Sequence, residues 1–228
     1  MKFIFHVLLL AGMFLTGSPG LTAAEAMPGD TVDIQALYNG RVWRNLYYRI
    51  QGDQFFFNSG FVPGSVTLAG RVFPGQTIRF DCYSDELLIL TNKGIIIQLN
   101  KELIDEFTVE QNSRLFRFLN LRPDSVRSLT GFVNVLCEGT ASLYAKYSKE
   151  ILLLAVENKF DLFADNIRIY LEKDGIVNRI GSRGDLLRLL AGEKQKVRAY
   201  MKSNGIRFSK KDPELIRPVI EYYNTLQL

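Results

Sequence analysis

Histidine is almost missing from this chain. One of its 228 residues is histidine, His6. It falls in a segment that reads as a secretory signal: Lys2, an apolar stretch from Phe3 to Leu15, then small residues. With that segment removed, the mature chain carries no imidazole. The commonest general base, the commonest metal ligand and the middle member of Ser-His-Asp and Cys-His systems are then absent. The sequence accordingly points to no catalytic residue, no metal ligand and no cofactor-binding motif: there is neither a Walker pattern nor a GxGxxG. Long hydrophobic runs are missing too. The apolar part of the signal spans roughly 13 residues, short of the roughly 20 that a membrane-crossing helix needs. Further on, Ile151 to Val156 is cut off by Glu157, Asn158 and Lys159, so no transmembrane helix is expected in the mature chain. No cysteine stands near the cleavage region to carry a lipid anchor. Small residues place cleavage after Ala24 or Ala26, and residues 1–24 are taken as the signal peptide. An uncleaved anchor is the alternative.

Tryptophan is single, but Phe and Tyr number 16 and 10. With many Val and Ile, that tilts the mature chain of about 200 residues toward strands. Hydrophobic residues at 47% and charged residues at 23% give an ordinary globular balance rather than disorder. Short apolar runs cut by turn residues are predicted as strands at Asn45 to Ile50, Gln54 to Asn58, Ser65 to Leu68, Gln76 to Cys82, Glu86 to Thr91 and Gly94 to Leu99. Asn39-Gly40, Pro63-Gly64, Pro74-Gly75 and Asn92-Lys93-Gly94 read as turns between them. Ile104 to Val109 and Arg114 to Leu119 extend the sheet. Phe132 to Cys137 with Ser142 to Tyr147, and Asn166 to Leu171 with Ile176 to Ile180, read as hairpins. Ile151 to Phe163 fits strand or helix.

The period then changes from two to 3.6. Ser182 caps a helix with Asp185 at its third position, which also accounts for the Arg183-Gly184-Asp185 triplet without invoking adhesion. A second helix runs from about Glu193 and a third from Asp212-Pro213, with a kink or late start at Pro218. The fold class is α+β: mainly an antiparallel β meander, sandwich or open barrel, with about three short helices at the C-terminal end. A β-rich domain at 25–180 carries a helical segment at 181–228, packed on the same unit.

Charge is uneven. From Arg168 onward there are 13 basic and seven acidic residues, within a net charge of +4. Lys194, Arg198 and Lys202 share one outer helix face at i, i+4 spacing and are the candidate partner-binding surface. Such a face suits an envelope protein or an anionic lipid or glycan, while nucleic acid is not expected for an exported chain. A solvated helix surface has the same appearance. The dense aromatics Tyr47, Tyr48, Phe55, Phe56 and Phe57 suit an apolar ligand cavity, a sugar-stacking surface, a partner contact or simply a sheet core. Cys82 and Cys137 each end a strand-like alternation, and either pair as a disulfide outside the cytoplasm or stay as two buried thiols. Asp81, Asp85 and Glu86 crowd one turn, where carboxylates serve local hydrogen bonds, acid-base chemistry or a hard cation.

Two stretches carry a resemblance: Tyr38-Asn39-Gly40-Arg41 through Gly52-Asp53-Gln54-Phe55-Phe56, and the tail from Ile180 to Asn224 closing on Glu221-Tyr222-Tyr223-Asn224. Together they resemble uncharacterised exported proteins of Bacteroidota, in which a β-rich body precedes a basic helical tail. The resemblance implies a periplasmic or cell-envelope location and carries no catalytic residues with it. The expected role is non-enzymatic binding or assembly at the envelope. A periplasmic carrier of a lipid or other apolar ligand is the alternative, and a histidine-free hydrolase built on carboxylates comes third. Oligomeric state is not legible.

Overall fold

A computed structural model describes residues 34–57, 60–123, 129–153 and 160–227. The predicted signal segment with His6, Asn58 at the end of one predicted strand, and 154–159 within the ambiguous stretch lie outside the described residues. After a single helical turn, α1 (Ile34–Leu37), the strands are β1 (Arg41–Val42), β2 (Val62–Leu68), β3 (Arg71–Asp81), β4 (Glu86–Leu90), β5 (Ile96–Gln98) and β6 (Ile104–Gln111). They continue as β7 (Arg114–Leu121), β8 (Gly131–Cys137), β9 (Ala141–Leu152), β10 (Leu162–Lys173) and β11 (Ile176–Ile180). These form one antiparallel sheet in the order β1-β5-β4-β3-β2-β6-β7-β8-β9-β10-β11. Three helices follow: α2 (Arg183–Leu189), α3 (Lys194–Ser203) and α4 (Arg217–Thr225). The class is thus β-rich with a short helical end. No described helix is long and apolar enough to cross a membrane.

Two predicted strands are absent. Asn45 to Ile50 is irregular because the Asn45 side chain accepts the Tyr47 N–H, a local turn that outcompetes a ladder. Leu46 and Tyr48 stand exposed, so no buried face selects an extended register there. Gln54 to Phe57 makes one bridge, Phe55 to Asp81, after Asp53 captures the Phe55 N–H in the same way. Conversely, Pro63-Gly64 and Pro74-Gly75 do not end strands. Each lies inside one, and the Pro74-Gly75 pair supplies the extra residue of a bulge. Gly75 has φ +65 there, a conformation that costs glycine little. The true β2–β3 turn is Ala69-Gly70.

The sheet curls over an aromatic face. Four strands separate β3 from β9 in the sheet order. Yet the Lys149 N–H donates to the Cys82 carbonyl at 3.3 Å, and the Phe80 and Phe132 rings meet at 5.6 Å. Phe107 and Phe118 stack between them at 4.8 Å. Asp85, in the β3–β4 turn, fastens the curl by accepting from Lys101 at 2.7 Å and from Lys146 of β9 at 2.8 Å.

The helices cover the other part of the sheet. Leu186, Leu187, Val197, Met201, Ile216, Val219 and Ile220 pack on Leu143, Ile169 and Leu171. Ser182 caps α2, its hydroxyl accepting the Asp185 N–H at 3.1 Å. Pro213–Ile216 forms a 3-10 turn, so α4 starts late with Pro218 in its first turn, where its missing N–H costs nothing. Leu215 would share the buried face of a regular helix begun at Pro213, but it is 46% exposed because the 3-10 turn shifts the phase. The closing Tyr-Tyr-Asn is a lock. Tyr222 stacks on Tyr200 at 4.2 Å, Tyr223 is buried, and Asn224 pairs with both backbone groups of Ala141 at 2.8 and 2.9 Å. A Cβ on Gly139 would sit 2.4 Å from the Asn224 amide, so the hairpin needs glycine there.

Candidate functional site

The cationic face is built from helix periodicity. Arg198 and Lys202 stand one turn apart on α3, where Val197 and Met201 bury the opposite stripe. Past the helix, Gly205 at φ +62 lets the chain reverse. The Ile206 N–H returns to the Met201 carbonyl at 2.9 Å and the Gly205 N–H to Lys202. That reversal carries Arg207 back beside the helix. Arg183 arrives from the first position of α2. The four cations Arg183, Arg198, Lys202 and Arg207 line one concavity of about 570 Å³, floored by Leu187, Met201 and Ile206, with no carboxylate in its wall.

All four are exposed and none has an ion pair among the described residues. The acids of these helices are engaged elsewhere: Asp185 holds Arg188 and Glu193 holds Lys196. The Asp185 carboxyl is also held below the usual range by its bond from the Ser182 hydroxyl and by the Gly181 N–H. Of the predicted face, Arg198 and Lys202 belong to the groove, while Lys194 is exposed at the start of α3 outside it. Arg183 and Arg207 escaped the sequence reading, because a shared helix face was the only signal used.

The aromatics divide into two groups. Phe55, Phe56 and Phe57 line a second cleft, of about 610 Å³. Tyr47 instead packs edge-on against Tyr83 and Phe163, and its hydroxyl is pushed up by burial. Tyr48 is 72% exposed under Arg49. Phe55 is clamped by the Arg79 guanidinium, 3.4 Å from its ring, and by Trp43.

The acidic turn is structural. Asp81 is buried and accepts from the Gln54 amide and the Tyr83 and Ser84 N–H groups, and Asp85 is held by two lysines. Glu86 is half-buried, which raises its carboxyl above the ordinary value. No group of three or more metal-ligating side chains occurs among the described residues. The cysteines do not pair: both are free thiols, Cys82 inside the curled sheet and Cys137 beside the helical layer. The two residues belong to separate hydrophobic clusters. Burial pushes both thiols up, Cys137 to about 11, which suppresses the reactive thiolate.

No family model matches the chain, and neither a curated protein nor a solved structure does.

Proposed function

We propose that this is an exported, non-enzymatic binding protein of the cell envelope that holds an anionic lipid headgroup or acidic glycan in the groove between α2 and α3. The observation that carries the reading is the set of four unpaired cations around one concavity without a carboxylate in its wall. Mutual repulsion in such a set costs stability that an anion would relieve. Its three arginines suit the forked geometry of phosphate or carboxylate. A concave wall favours a compact anionic group over the flat surface of an acidic protein. The finer architecture we infer is an open barrel rather than a sandwich, supported by the β3–β9 contact across the curl.

The test is cosedimentation of the protein with phosphatidylglycerol-containing and pure phosphatidylcholine vesicles, alongside titration with an acidic polysaccharide. Binding to at least one anionic probe is expected, weakening steeply as salt rises. The double variant Arg198→Glu, Lys202→Glu should lose it without a fall in melting temperature, since both sites are exposed and the change relieves repulsion among the cations. Salt-independent binding, or full binding by that variant, would remove the basis for this reading.

A further inference from the structure

The second cleft differs in kind from the cationic groove. It opens where the Phe55–Phe57 loop, the β6–β7 hairpin, β9, β10 and the segment before α4 converge. One wall is aromatic: Phe56 and Phe57 lie 4.0 Å apart, Phe57 and Phe116 5.0 Å, and Phe56 and Tyr147 4.7 Å. The rest of the lining includes Arg114, Lys149 and Lys211 together with Asp165, Asp212 and Glu214. Three cations meet three carboxylates, and several are already paired: Arg114 with Glu214, and Lys149 with Asp165 at 3.2 Å. An ionic ligand would therefore meet repulsion as well as attraction. An acyl chain would fare no better, because it would strip water from those polar groups and return no hydrogen bond.

A neutral ligand with an apolar face and a polar edge matches both walls. We propose that this cleft binds a neutral oligosaccharide, a ring face against the exposed Phe57, which the buried Phe116 backs, and its hydroxyls toward the charged wall. A further observation favours an occupied cleft over a plain stretch of core. Phe57 is held at φ +49, a conformation strained for a non-glycine residue, and the residue is still 38% exposed. The volume lies within the range of about 300–1,000 Å³ usual for small-molecule sites. This site is independent of the cationic groove, so either can fail alone.

The experiment is saturation-transfer NMR and calorimetry of the full chain with cellohexaose, maltohexaose, xylohexaose and chitohexaose. At least one should bind, with little salt dependence. Phe57→Ala should weaken it roughly tenfold, as expected for loss of one stacking ring. Lys211→Ala, at an exposed position, serves as a second variant should Phe57→Ala disturb the loop, and it too should weaken binding. Arg198→Glu should leave binding intact. Cleavage of the bound chain would support the site while overturning the non-enzymatic part of the proposed function. Failure of all four sugars to bind, binding indifferent to both variants, or displacement of the sugar by dodecanoate would overturn the proposal.

Discussion

The two larger hydrophobic cores among the described residues differ in composition, and the contrast shows how each is filled. Inside the curled sheet the largest buried side chains are Phe73, Phe80, Phe107, Phe118 and Phe132. Under the helices they are mainly aliphatic: Leu186, Leu190, Val197, Ile216, Val219 and Ile220. A sheet folding over its own face must fill a space reached from strands far apart in order, and long flat rings bridge it edge to face. A helix laid on a sheet presents a stripe at i, i+3 and i+4, and branched aliphatics interdigitate there. Charge follows the same division. The curl is fastened by carboxylates already engaged with lysines, while the helical layer, anchored by aliphatics, leaves an outer face of cations without partners.

Three perturbations sharpen or break this comparison. The largest effect is expected for Phe118→Ala, which removes a ring touching Phe56, Phe80 and Phe107. It should cost about 3–5 kcal/mol in denaturant unfolding, against about 2–5 for Leu186→Ala in the helical layer. A cost for Phe118→Ala well below that of Leu186→Ala would contradict the central role of the rings. Next comes Asp85→Ala. It strands the ammonium groups of Lys101 and of Lys146, the latter pushed down by burial, and should cost about 2–3 kcal/mol. Amide exchange should then rise around Phe132, whose N–H faces Asp85, before it rises in α2 to α4. The smallest is Asn224→Ala, which leaves both backbone groups of Ala141 without that partner. About 1–2 kcal/mol is expected, with exchange rising first at the β8–β9 turn. If instead the curled sheet loosens first, the two regions are one cooperative unit.

Much of the helical end was legible because its signals are local. The Ser182 cap and the late start at Pro218 depend on residues within a few positions of one another. Strong hairpins such as Leu88–Leu90 with Ile95–Ile97 were legible for the same reason. The misses share a cause as well. Pro74-Gly75 has the composition of a turn, but the neighbouring strand accommodates it as a bulge. Asn45 to Ile50 has the composition of a strand, but lacks a partner and is held by its own Asn45. Whether the cysteines pair stayed open in the sequence, because alternation reveals which face a residue takes, not which core that face meets.

What the sequence by itself determined is the class of fold, the scarcity of imidazole chemistry and the cationic bias of the tail, since composition and short-range periodicity carry all three. Tertiary structure alone decided which residues converge. Arg183 and Arg207 join Arg198 and Lys202 because a helix-end reversal and the start of another helix meet in space. Phe57 meets Phe116, and Lys149 meets Cys82, because the sheet curls. That curl is set by twist, bulges and long-range packing summed over many strands, and no short window of sequence contains it.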